Sequence, residues 1–204
     1  VTFDGLEMYE QSGSAMRKLR RDIQIVFQDP MAGTCATLSI EENMALAAAR
    51  GRRRGLGAAV GSRQRAGFAE RIAELGLGLE NRLKDQMGLL SGGQRQAVSL
   101  LMATLAGSRI LLLDEHTAAL DPSRAELVTR LTRQVVAEHR LTTLMVTHNM
   151  SQALEVGNRL IMMHDGRIIL ELDEQEKAGR TPVDLLAEFG KIKGAVVDDK
   201  TMLS

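Results

Sequence analysis

The chain contains no tryptophan, one tyrosine and four phenylalanines, so aromatic residues fill only 2% of its 204 positions. That scarcity removes the stacking platforms on which single-strand nucleic-acid binders lay successive bases. Net charge is missing as well. The 26 Lys and Arg balance 26 Asp and Glu, leaving no global field to draw the protein to nucleic acid or anionic lipid. A single cysteine, Cys35, excludes an intrachain disulfide, fits a reducing compartment and reads as a small packed residue. No apolar run approaches the roughly 20 residues of a membrane-spanning helix, and no signal-peptide pattern is visible. A role at a membrane therefore requires a membrane-embedded partner. The length suits one globular domain with room for a subdomain.

What is present concentrates in two stretches. Leu89-Leu90-Ser91-Gly92-Gly93-Gln94-Arg95-Gln96 places a hydroxyl and two glycines just before an apolar-periodic run from Ala97 to Leu105. A small-residue turn opening a helix is an anion site, because unpaired N–H groups and the positive dipole end converge there. Further on, Ile110-Leu111-Leu112-Leu113 ends in Asp114-Glu115. Such a run reads as a buried parallel strand with carboxylates at its C-terminal tip, where α/β sheets carry their chemistry. The first piece has the chemistry to hold a terminal phosphate. The second can hold a metal and activate a water.

Other segments read as alternating strands and helices. Val1 to Gly5 is a strand running into a turn, and Ile23 to Phe27 a short strand leading to Gln28. Ile40 to Arg50 is rich in helix formers, with Glu41 and Glu42 at the end the dipole favours. Phe68 to Leu75 reads as a helix with Gly76 near its C-terminal cap. The six arginines between Arg50 and Arg65 lie among glycines. They read as a solvated loop, the alternative being contact with an acidic partner or lipid headgroups. Asp121-Pro122 opens a helix whose Leu127, Leu131 and Val135 share one face. Thr142 to Thr147 reads as a buried strand ending at His148, and Leu160 to Leu170 as a hairpin turning at Asp165-Gly166. Pro182 to Phe189 is a further helix. Met102, Met145, Met162 and Met163 lie in apolar segments and read as core filling. His116, His139 and His164 show no metal-ligand spacing. Strand–helix alternation implies a parallel sheet with flanking helices.

Taken in order, these motifs resemble the ATP-binding-cassette (ABC) ATPase family. Leu90-Ser91-Gly92-Gly93-Gln94 is similar to its signature motif and Ile110 to Glu115 to its Walker B strand. Val26-Phe27-Gln28-Asp29-Pro30 resembles the Q-loop, Ala119-Leu120-Asp121-Pro122 the D-loop, and Met145-Val146-Thr147-His148-Asn149 the switch-histidine segment. The resemblance implies an α/β fold: an ABC-type P-loop NTPase core with a parallel central sheet and an inserted α-helical subdomain. Residues 1–30 and 89–170 correspond to the core, 31–88 to the helical subdomain and 171–204 to a C-terminal tail. It also assigns roles. Asp114 binds Mg²⁺ and Glu115 polarises the water attacking the γ-phosphate of ATP. Gln28 ligates Mg²⁺ or orients water, and His148 senses the γ-phosphate. Ser91, Gly92, Gly93 and Gln94 close over a neighbouring subunit's ATP, and Asp121 contacts that subunit. His116 stands where many family members carry proline.

The family's Walker A loop, G-x-x-x-x-G-K-[ST], is the notable absentee. The only Gly-Lys pair is Gly190-Lys191, followed by Ile192. The expectation is an N-terminally incomplete cassette that is inactive alone. The implied function is the cytoplasmic ATPase subunit of a bacterial importer-type ABC transporter, peripheral on the inner face of the cell membrane. Its implied partners are a transmembrane permease, a second ABC ATPase subunit in a dimer and, as a further candidate, a substrate-binding protein, with no nucleic acid. The alternatives are a soluble ABC ATPase acting on ribosomes or DNA, and an inactive truncated fragment.

Overall fold

A computed structural model describes residues 2–51 and 60–193. The arginines at 52–54 and the extreme tail lie outside the described residues. By internal contacts the chain divides into two units, Val1–Met145 and Val146–Ser204.

The first unit opens with a hairpin of β1 (Thr2–Phe3) and β2 (Leu6–Glu7). Asp4 and Gly5 turn it with φ of 50° and 76°, the left-handed pair that a tight two-residue turn requires. Arg109 anchors this hairpin, pairing with Asp4 while its guanidinium lies 5.2 Å from the centre of the Phe3 ring. Helix α1 (Gly13–Asp22) follows and runs directly into β3 (Ile23–Val26). Next come α2 (Ile40–Ala48), α3 (Ser62–Ala73) and α4 (Gly92–Thr104). Strand β4 (Ile110–Asp114), α5 (Pro122–His139) and β5 (Thr142–Val146) complete the pattern.

The sheet order is β3-β4-β5. Strands β3 and β4 are parallel, with Ile23 opposite Ile110 and Val26 opposite Leu113. One core joins this sheet to the helices: Val26, Leu111 and Leu113 pack in the same cluster as Ile40, Met44, Ile72, Met87 and Leu100. Helix α2 begins with a capping box the sequence reading did not use. Ser39 Oγ accepts from Glu42 N at 3.3 Å, and Glu42 Oε2 accepts from Ser39 N at 2.7 Å, an arrangement worth about 1 kcal/mol. Asn43, 2% exposed, folds the preceding segment back. Its Oδ1 accepts from Cys35 N, and its amide donates to the carbonyls of Cys35, Leu38 and Ser39.

Several expectations need correction. Thr142 to Thr147 is expected to be a buried strand, yet Leu144 and Val146 are 58% and 51% exposed and alternate with half-buried Thr143 and Met145, so one face of β5 is open. Cys35 is exposed rather than packed, and its thiol is drawn below its usual range by hydrogen bonding with Thr37. Met102 and Met162 are buried, but Met163 is exposed. Of the arginine-rich segment's described members, Arg65 is no solvated loop residue. It lies in α3 and pairs with the buried carboxylate of Glu41.

The second unit contains α6 (Met150–Glu155), the hairpin of β6 (Leu160–His164) and β7 (Arg167–Leu172), α7 (Glu174–Ala178) and α8 (Pro182–Lys193). Asp165 and Gly166 turn the hairpin with φ of 47° and 73°, as the Asp-Gly pair foretold. Leu160, Met162, Leu172 and Leu185 form its small core. The Phe189 ring meets His164 edge-on at 5.4 Å. Lys177 buries its chain and donates to the carbonyls of Val156 and Gly157, both at 2.8 Å.

Candidate nucleotide site

The parallel pairing of β3 and β4 fixes the first part of the site. Because Val26 is opposite Leu113, Phe27-Gln28 and Asp114-Glu115 leave adjacent strands at the same C-terminal edge, the edge where such sheets bind ligands. Asp114 is exposed at the strand tip, so its carboxylate is available to a cation. Among the described residues no cluster of three or more His, Cys, Asp and Glu side chains stands ready to hold a metal. That fits Mg²⁺, which is commonly held by one or two carboxylates, water and substrate phosphates rather than a protein cage. The oxygen donors available, the Asp114 carboxylate and the Gln28 amide, suit that hard ion.

Glu115 has a φ of 43°. A non-glycine residue there costs about 1–2 kcal/mol, and such outliers persist where surrounding structure over-determines them. The turn continues through two backbone bonds, Ala118 N to Glu115 O at 2.9 Å and Leu120 N to Thr117 O at 3.1 Å. It delivers Asp121 to the N-cap of α5, where Asp121 Oδ1 accepts from Arg124 N at 3.1 Å. His116, next to Glu115, is 2% exposed. Burial pushes its imidazole pKa down to about 4, so the ring is neutral at physiological pH.

The glycine-rich stretch forms the start of α4 as expected. Ser91 is the N-cap of a capping box, its Oγ accepting from Gln94 N at 3.3 Å while Gln94 Oε1 accepts from Ser91 N at 3.1 Å. This leaves the Ser91 hydroxyl proton and the first-turn amides of Gly92 and Gly93 as donors toward an anion. Gly93 packs closely on α5: a Cβ there would crowd the Arg124 side chain, 3.1 Å from its Cδ. A Cβ at Gly92 would lie 3.5 Å from Leu120. The signature turn and the D-loop helix are therefore in direct contact, so Ser91 to Gln94 and Asp121 occupy one face.

A residue passed over in the sequence reading ties the two parts together. Gln96 is fully buried on α4, and its amide donates to the carbonyl of Phe27, 3.1 Å away, immediately before Gln28. Following Gln94 and Arg95 and preceding the apolar run, it is not set apart from them by residue type. His148 belongs to the second unit, just before α6. Thr147 Oγ1 accepts from Asn149 N at 3.1 Å, and Asn149 caps the helix by accepting from Gln152 N at 2.9 Å.

A parallel α/β sheet with paired carboxylates at a strand tip, and a glycine-rich helix start beside an Asp-Pro turn, define the ATP-binding-cassette class of fold. Residues 1–118 match the family model described as ABC transporter, and the chain belongs to that family. It is 44% identical over 165 residues to a tyrosine transport ATP-binding protein of Clostridioides difficile, covering 80% of this chain and 65% of that protein. It is 33% identical to the phosphonates import ATP-binding protein PhnC of Frankia casuarinae, covering 84% of this chain and 69% of that protein. Among solved structures, it resembles the dimeric ATP-binding cassette MJ0796 bound to ADP and Pi. That match has a TM-score of 0.68 and 29% identity, covering 84% of this chain and 72% of that one. The chain spans about half to two thirds of the length of the curated relatives it matches.

Proposed function

We propose that this chain is part of the ATP-hydrolysing subunit of an import-type ABC transporter, coupling ATP binding and hydrolysis to passage of a solute through a separate permease. The observation that carries this reading is the shared strand edge of Gln28, Asp114 and Glu115, beside the left-handed Glu115 turn. The import-type names of the relatives support it. In this reading residues 1–30 and 89–170 form the nucleotide-handling core, 31–88 the helical subdomain and 171–204 a C-terminal tail.

Within that assignment, Asp114 and Gln28 hold Mg²⁺ through oxygen, and Glu115 accepts a proton from the attacking water at its carboxylate. Mg²⁺ held there would neutralise phosphate charge and help to align the phosphoryl group for attack by water. The Ser91 hydroxyl and the Gly92 and Gly93 amides donate to the γ-phosphate of a nucleotide held by a second ABC subunit, with Gln94 keeping Ser91 in place. Asp121 meets that subunit, and the His148 imidazole donates to the γ-phosphate. The dimeric state of MJ0796 supports the paired arrangement. No helix among the described residues is long and apolar enough to cross a membrane, which is consistent with a cytoplasmic subunit held at the membrane by its permease. A substrate-binding protein would choose the solute.

The test is ATP hydrolysis by the chain joined to an upstream Walker A segment. Turnover should require Mg²⁺, and Glu115→Gln should slow it by roughly 10²–10⁴-fold while nucleotide still binds, as loss of a general base does. Turnover within a few-fold of the parent would remove Glu115 from that role. Failure of the parent to bind ATP would overturn the whole reading.

A further inference from the structure

We propose that His116 is a positioning residue that holds Glu115 in its left-handed conformation by anchoring the turn to α5. The inference rests on the ATPase reading above and adds to it a residue that motif matching leaves without a role. His116 Nε2 lies 3.1 Å from Thr132 Oγ1, and both residues are buried, at 2% and 3% exposure. Thr132 Oγ1 also lies 2.8 Å from the Val128 carbonyl, to which it donates. A hydroxyl has one proton. With that proton committed to Val128, the ring nitrogen must be the donor, so Nε2 of His116 carries a hydrogen.

The consequence for Glu115 follows from chain geometry. On one side, β4 is locked in register against β3 as far as Leu113, and the strand ends at Asp114. On the other, residue 116 is pinned to the middle of α5. Consecutive Cα atoms are about 3.8 Å apart, so Glu115 alone must turn the chain from strand tip to anchor. It does so at φ 43°, and the Ala118 N to Glu115 O bond closes the turn behind it. One buried ring thereby sets the backbone from which the Glu115 carboxylate extends and feeds the turn that carries Asp121. A proline would restrain residue 116 through its own ring; here a side-chain tie to Thr132 does that work.

Thr132→Val in the full-length protein tests this, because it keeps the volume and removes the acceptor. Amide exchange at Ala118 should accelerate about tenfold, the equivalent of one lost hydrogen bond. The kcat for ATP should fall by about tenfold or more, with KM within about twofold, because displacement of a reacting group costs rate rather than binding. Thr132→Ser, which keeps the hydroxyl, should restore both. His116→Gln, which can still donate, should retain more activity than His116→Leu. Parental Ala118 exchange and kcat in Thr132→Val would overturn the proposal, as would a Thr132→Ser variant no better than Val. If the parent hydrolyses no ATP, the ATPase reading falls, while the Ala118 amide still decides whether His116 anchors the turn.

Discussion

Glycine ordinarily destabilises a folded chain relative to alanine; at position 115 the order should reverse. The φ of 43° at Glu115 costs any residue with a Cβ about 1–2 kcal/mol, whereas glycine adopts it freely. Glycine also widens the unfolded ensemble, which costs about 0.4–1 kcal/mol. The difference leaves Glu115→Gly about 0.5–1 kcal/mol more stable than Glu115→Ala. Both variants lose the same carboxylate and whatever it touches, so those losses cancel in the comparison. Ala137, exposed in α5, is the control: Ala137→Gly should lose about 1 kcal/mol, the usual helix penalty. Urea denaturation of the full-length protein at matched m-values measures both. For a chain of this size the gain at 115 corresponds to roughly 1–4 °C in Tm. Both variants at 115 should hydrolyse ATP far more slowly than the parent, so the strain is kept for function rather than for stability. An Ala variant as stable as Gly would show that the backbone there is unstrained and refute the reasoning.

Ser91→Arg should abolish ATP-driven dimerisation in size-exclusion chromatography while nucleotide binding persists, and an undiminished dimer peak would refute closure of the signature on a partner's phosphate. Residues 1–204 alone should show no ATPase activity and should self-associate through β5, which ends the strand order and whose Leu144 and Val146 are 58% and 51% exposed. Light scattering should fall in Leu144→Lys, whereas a cooperative melt that rises with Mg-ATP would contradict the prediction. The Arg65 guanidinium holds the Glu41 carboxyl below the usual carboxylate range. The resulting stabilisation is therefore complete above the unfolded pKa of about 4.3 and is lost as pH falls through the lower folded value. Glu41→Gln should remove that acid-dependent part of the stability, read as a flatter midpoint-versus-pH profile below pH of about 4.5.

What was legible in the sequence was whatever depends on neighbouring residues. Asp121-Pro122 capped α5, Asp165-Gly166 turned the β6–β7 hairpin, and Gly76 adopted φ 64° just past α3, because each follows from local backbone preference. Burial of β5 was not legible. An apolar β-branched run looks alike whether one face or both faces of its strand are covered, and only the packing around the sheet separates the two cases. Helix α1 is hard to read because Gly13-Ser14 opens it and its apolar side chains are few, Ala15, Met16 and Leu19 among Arg17, Lys18, Arg20 and Arg21, although the helix is strongly amphipathic.

The tertiary ties are the harder class, and the site depends on them. Gln96 and Thr132 are ordinary polar residues at helical spacing, indistinguishable by type from solvent-facing neighbours. Their meaning lies in partners 69 and 16 residues away, Phe27 and His116. A motif names the groups that meet the substrate, but a glutamate at a strand tip is aimed by its backbone, and that backbone is set by what the next side chain is buried against. In this chain the next side chain is a neutral histidine on a threonine of α5, while the signature turn rests on the same helix through Gly93 and Arg124. Helix α5 therefore carries the turn after Glu115 at its middle and the signature at its N-terminal end. In the function proposed above, a shift of that helix would move Glu115 and the amides of Gly92 and Gly93 together.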